Sequence, residues 1–177
     1  MGKKIIIIYK SKTGFTEKYA HWIAESLHCD AVSFEKLNSS EITHYDTVIF
    51  GGGIHAGRIN EIKFLEDNAS LLLGKKIVVF ATGATAAIPE LIGKFEKDNI
   101  PQGMGITFFY FQSGINYERM HGKDRFLMGT LKTILKVKRN KTDTDRNTLN
   151  AIQNSYDYSN HSQIKYLCNF VNAIENI

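Results

Sequence analysis

The chain opens on a run of large apolar residues, Ile5 to Tyr9, then a loop of small and hydroxylated residues, Ser11-Lys12-Thr13-Gly14-Phe15-Thr16, and then a helical pattern. A run that is apolar at every position suits a strand covered on both faces, as in the interior of a parallel sheet. Phe15, Tyr19, Trp22, Ile23 and Leu27 then recur at spacings that place them on one face of a helix. A strand, a tight polar turn and an amphipathic helix together form the opening unit of an α/β domain.

The rhythm continues along the chain. Ala31 to Phe34, Thr47 to Phe50, Lys76 to Phe80 and Gly105 to Tyr110 read as further strands. Helices are expected from about Ile59 to Asn68, after Pro89 with Ile88, Leu91, Ile92 and Phe95 on its inner face, and at the end with Ile164, Leu167, Cys168, Val171 and Ile174. Alternation of this kind specifies a parallel sheet with helices on both faces, and ligands bind such sheets at the carboxyl ends of the strands. Three strand ends carry small-residue loops, 11–16, 51–57 and 81–86. One domain spans 1–177, and a stretch from about 115 to 159 is too long for an ordinary strand–helix connection.

Composition narrows the class. With 43% hydrophobic and 23% charged residues the chain is an ordinary globular one. The first apolar run is too short for a signal sequence or a membrane span, and Cys29 and Cys168 show neither pairing motif nor metal-like spacing. Two buried, reduced cysteines and a cytoplasmic setting are therefore expected, with a peripheral place on the inner face of a membrane if the basic segment described below binds one.

The loop at 11–16 stands where a helix begins, so a phosphate there meets free amides, the positive end of the helix dipole and three hydroxyls. Four of its six positions are Ser, Thr or Gly, more than a helix cap requires. It lacks the Gly-Lys-Ser/Thr ending of a triphosphate loop and the Gly-x-Gly-x-x-Gly of a dinucleotide turn. Tyr9-Lys10-Ser11 also lacks the acidic residues that a receiver domain needs at the end of its first strand.

The hydroxyl-x-Thr-Gly-x-Thr pattern after the first strand resembles the phosphate loop of the flavodoxins. That resemblance implies a three-layer fold with a five-stranded parallel sheet in the order 2-1-3-4-5, and FMN as cofactor. It implies that Ser11, Thr13 and Thr16 donate to the phosphate from their side chains, with amides of Lys12, Gly14 and Phe15 completing the cradle. Gly52, Gly53, Ile54, His55, Ala56 and Gly57 of the second loop, and Ala81, Thr82, Gly83 and Ala84 of the third, then border the flavin ring. Flavodoxins commonly set an aromatic side chain against each flavin face, and the third loop here has none, so a more open flavin face is expected. His55 is either a flavin contact with a catalytic part or an ordinary exposed loop residue.

Charge is concentrated in the long stretch. From Arg119 to Lys141 there are eight basic residues and one acid, Asp124, a net of +7, while the other 14 basic and 17 acidic residues leave −3. Leu127, Leu131, Ile134 and Leu135 share one helical face, with Lys132, Lys136 and Arg139 away from it. Such a helix is either an element for an anionic membrane surface or acidic partner, or a packed helix with a solvated basic face. Nucleic acid is disfavoured, because no aromatic residues are interleaved among the lysines.

Tyr117, Asp124-Arg125-Phe126, the basic helix through Lys138 and Thr142-Asp143-Thr144 resemble the long loop of the bacterial quinone-dependent protoporphyrinogen oxidases. The resemblance implies an FMN-dependent oxidoreductase passing electrons to a quinone. The alternative is a flavodoxin-type electron carrier that docks on a redox protein. Neither reading fixes an oligomeric state.

Overall fold

The computed structural model describes residues 4–175. Its elements in chain order are β1 (Ile5–Lys10), α1 (Phe15–Leu27), β2 (Asp30–Ser33), β3 (Thr47–His55), β4 (Arg58–Ile59), α2 (Phe64–Asp67), α3 (Ala69–Leu72), β5 (Lys76–Gly83) and α4 (Pro89–Asn99). They continue with β6 (Thr107–Gln112), β7 (Gly114–Ile115), α5 (Gly122–Val137), α6 (Asp143–Ala151), β8 (Tyr156–Asp157) and α7 (Lys165–Glu175). Five strands form a parallel sheet in the order β2-β1-β3-β5-β6, which is the expected 2-1-3-4-5 order counted over parallel strands alone.

Register explains the three layers. Ile7 of β1 pairs with Ile49 of β3, and Ile49 with Val78 of β5. These three point to one face, where Tyr19 and Ile23 of α1 and Leu167 and Val171 of α7 cover them. Their neighbours Ile6, Ile8, Val48, Phe50 and Val79 point to the other face, against Phe64, Leu65 and Leu72. Alternation along a strand therefore supplies both cores from a sequence with no polar positions.

Several boundaries differ from the expectations. β3 does not stop at Phe50 but runs through the glycines to His55. A Cβ on Gly51 would fall inside the Phe80 ring, so the glycine admits an aromatic residue to the core rather than a turn. The helix expected from Ile59 starts at Phe64, because Ile59 pairs antiparallel with Ile54 and Glu61 takes a positive φ of 58°. The expected second strand ends one residue early, as Phe34 opens a short 3-10 turn. The fifth parallel strand begins at Thr107 instead of Gly105, whose φ is +63°.

The cysteines, remote in sequence, pack in the same cluster on the α1/α7 face. Both are free; Cys168 is buried, while Cys29 is only half-buried, short of the full burial expected. Burial pushes the Cys29 thiol up to about 11 and raises that of Cys168 as well.

The long stretch is a folded insertion. β7 pairs antiparallel with β8, Ile115 opposite Tyr156, and closes its base. α5 and α6 pack there around Ile115, Met120, Leu135 and Ile152. Thr142 and Asp145 form a capping box at the start of α6. Lys132 lies 3.9 Å from the centre of the Tyr117 ring and donates to the Gln153 carbonyl at 3.0 Å, so it is anchored and not simply solvated.

Candidate functional site

The carboxyl ends of β1, β3 and β5 converge beside the point where strand order reverses. At the end of β1 the chain turns into α1 through Gly14, whose φ of 93° places it in the left-handed region. Gly14 has no side chain to cap the helix, so the first-turn amides of α1 face the loop without a side-chain partner at the N-cap. The Ser11 hydroxyl accepts from the Gly14 amide at 3.1 Å and fixes the turn. Two residues on, Thr16 is buried, and its hydroxyl lies 2.8 Å from that of Thr82 on β5.

A cavity of about 430 Å³ opens above these hydroxyls, within the ~300–1,000 Å³ usual for small-molecule pockets. Lys12, Thr13, Phe15 and Thr16 line it from the first loop, Gly53, Ile54, His55 and Ala56 from the second, and Thr82, Gly83 and Ala84 from the third. Ser11, Gly14, Gly52, Gly57 and Ala81 lie outside this lining. Gly52 and Ala81 are buried within the sheet, and Gly57 forms the hairpin turn between β3 and β4 with a φ of 80°.

Several lining residues were not expected. Asn60 follows β4, and its Nδ2 would stand 3.4 Å from a Cβ on Gly53, with the Thr16 hydroxyl at 3.3 Å. Any side chain at Gly53 would therefore crowd the polar end of the cavity. Ser113 is held between strands, its amide donating to the Gly83 carbonyl at 2.7 Å. The Tyr110 hydroxyl donates to the Thr85 carbonyl at 2.7 Å and steadies the third loop. Burial raises the Tyr110 pKa well above that of a free phenol, so this donor keeps its proton.

The remaining wall comes from the insertion. Ile115, Met120, Leu127, Met128 and Leu131 give the cavity an aliphatic side. No aromatic residue of the third loop lines the cavity, and methionine and leucine side chains of the insertion stand along it. α5 also departs from the expected pattern. Leu135 is buried, but Leu127, Leu131 and Ile134 are 50%, 39% and 55% exposed, and Phe126 and Val137 more so. Asp124, in the first turn of α5, meets the Lys12 ammonium at 3.0 Å and His55 Nε2 at 3.2 Å. His55 is accordingly neither an unattached loop residue nor remote from the cavity.

The donor set fits FMN. Thr13, Thr16 and Thr82 bring hydroxyls to the lining beside the first turn of α1, as a phosphate and ribityl chain require, and Ile115, Met120, Leu127, Met128 and Leu131 add apolar surface for a ring.

The flavodoxin domain family matches residues 6–145, from β1 into α6. The chain belongs to that family. Flavodoxin-domain membership indicates FMN as its cofactor. A curated relative, an uncharacterized protein of Methanocaldococcus jannaschii, is 35% identical over 98 residues, which is 54% of this chain and 62% of that protein. The match therefore spans about three-fifths of the relative's length. Similar solved structures include a flavodoxin from the domain Archaea, 18% identical over 62% of this chain and 82% of that one, with a TM-score of 0.45. The two-electron reduced flavodoxin of Megasphaera elsdenii is 23% identical over 60% and 82%, with a TM-score of 0.45. Rubredoxin oxygen:oxidoreductase from Desulfovibrio gigas is 18% identical over 94% of this chain and 36% of that one, with a TM-score of 0.47.

Proposed function

We propose that this flavodoxin-domain protein is an FMN-dependent oxidoreductase of the quinone-linked protoporphyrinogen dehydrogenase type. The observation that carries the reading is the insertion forming one wall of the cofactor cavity, with apolar side chains toward the cavity and basic ones outside it. FMN supplies two-electron acceptance from an organic substrate and passage of the electrons to a quinone.

The chain's own residues do the binding and orienting. Thr13 and Thr16 hold the phosphate with the amides of the first turn of α1, while Ser11 shapes the loop. Gly53 to Ala56 and Thr82 to Ala84 border the ring, and Met120, Leu127, Met128 and Leu131 offer a flat substrate an apolar wall beside it. Lys123, Lys136 and Arg139 have no ion-pair partner among the described residues and suit a substrate bearing carboxylates. Arg125 is committed to the Tyr117 carbonyl and Lys132 to the Tyr117 ring.

The same basic stretch suits an anionic membrane surface, since Phe126, Ile134 and Val137 are exposed among its cations. No helix among the described residues is long and apolar enough to cross a membrane, so contact of this kind would be peripheral. Vesicle binding that requires anionic lipid and fades with salt supports it; binding that ignores lipid charge counts against it.

The deciding experiment mixes the FMN-loaded protein with protoporphyrinogen under anaerobic conditions. The oxidoreductase reading predicts bleaching of the visible flavin band and its return on adding a quinone. A flavin that stays oxidised under excess porphyrinogen, yet accepts electrons from a reductase, identifies an electron carrier instead.

A further inference from the structure

We infer that Asp124 is a latch that holds the insertion over the bound cofactor, so that the insertion sets how fast FMN enters and leaves. This rests on the FMN reading and extends it to residues beyond the three flavin loops.

The geometry begins with α5 itself. Of its 16 residues only Leu135 is buried, and that residue lies in the last turns. Leu127 and Leu131 line the cavity yet remain 50% and 39% exposed, so apolar packing holds the first half of the helix weakly. Polar ties do that work there. One Asp124 oxygen lies 3.0 Å from Lys12 Nζ on the first loop, and the other lies 3.2 Å from His55 Nε2 on the second. A single carboxylate thus joins three chain segments around one cavity, bridging 112 positions of sequence to Lys12. Asn116 Nδ2 donates to the Thr13 carbonyl at 3.4 Å, and the Arg119 guanidinium lies against Gly14, its Nη1 2.5 Å from where a Cβ would stand. The insertion therefore touches the phosphate loop at three places.

Asp124 is well placed for the task. Its side chain is 21% exposed, less than that of either partner, and it occupies the helix N-terminus, where a carboxylate is favoured. Both partners also line the cavity, so releasing Asp124 opens the mouth and frees the Lys12 charge beside the phosphate loop. An anionic cofactor is then drawn in with the latch open and retained with it closed. The bridge is ionic and partly wet, so it yields to salt.

The test is stopped-flow flavin fluorescence on the full chain, following FMN entry into apoprotein and its release into excess apo-flavodoxin as a trap. Asp124→Asn should speed both entry and release by about tenfold, equivalent to about 1.4 kcal/mol on each barrier. Asp124→Glu should restore slow release, and Lys12→Met with His55→Gln should speed release as the Asn variant does, with a smaller gain in entry because the Lys12 charge that draws the anion in is gone. Raising salt from ~0.05 to ~0.5 M should speed release from the unaltered protein more than from Asp124→Asn. Unchanged rates in Asp124→Asn overturn the latch and leave the cofactor reading standing. Faster release with unchanged entry also overturns it, because that marks a lost contact and not a moving cover. Failure of the unaltered chain to bind FMN overturns the cofactor reading together with the latch.

Discussion

In the central strands Ile7, Ile8, Val48, Ile49, Val78 and Val79 have no exposed surface, whereas Phe126, Ile134 and Val137 of α5 are 77%, 55% and 72% exposed. Both segments are rich in branched and aromatic residues, yet one is sealed from water and the other meets it. The sheet is held by interdigitated packing on two faces, and the insertion by a small cluster of its own, a β7–β8 closure and polar ties to the flavin loops. Apolar residues that do not build a core are available for contact with something else: on α5, Leu127 and Leu131 border the cofactor cavity, while Phe126, Ile134 and Val137 face away from it into solvent.

The largest expected effect lies in the sheet. Ile49→Ala should cost about 2–5 kcal/mol, read from the denaturant midpoint, since the cavity it leaves is enclosed on every side. A cost below ~1 kcal/mol would mean the central strands repack freely, and the contrast with the insertion would fail.

Next is removal of residues 118–141 with a short Gly-rich bridge. The sheet should still unfold cooperatively, because its two clusters draw on no residue of that stretch. FMN should leave at least about tenfold faster, as the latch and aliphatic wall are both lost. Global unfolding would instead make the insertion part of the folding core.

Ile134→Ser should shift stability by no more than about 0.5 kcal/mol, the usual range for an exposed position. A cost of several times that would show that another surface covers this face of α5.

The smallest effect concerns pH. The Lys138 ammonium, aided by the Thr142 amide and hydroxyl, holds the Asp145 carboxyl at about 2. Its folded pKa lies below the ~3.9 of a free aspartate, so its support of the α6 cap is complete above that value and fades as pH falls through about 2. Amide exchange should show α6 fraying in this window before β3 or β5 opens. Asp145→Asn should remove the pH dependence.

What the sequence disclosed follows the same division. Ile5–Tyr9 was legible because a run buried on both faces has one common explanation, and the 11–16 loop because its residue types are placed by chemistry. Gly51 to Gly53 suggested a loop because glycine is poor in strands, whereas Phe80 needs the space over Gly51. Ile59 suggested a helix because its pairing with Ile54 is a tertiary choice that local spacing does not carry. Asp124 went unnoticed as a site residue because its partners lie far away in the chain. Its signal was present all the same: it is the one acid in a stretch of net charge +7. The aliphatic wall of the cavity was hidden for a similar reason, since Leu127 and Leu131 look like core residues until the helix is placed.

We propose that the first turn of α1, Thr13 and Thr16 grip a phosphate while the other loops and the insertion enclose a flavin. Calorimetric titration of the apoprotein with FMN and with riboflavin tests it most directly, with Thr13→Ala/Thr16→Ala alongside. One FMN per chain is expected, with riboflavin much weaker and the double variant losing about 2–4 kcal/mol of FMN affinity, as two hydrogen bonds to a charged group imply. Equal affinity for FMN and riboflavin, or no binding of FMN, would contradict the claim.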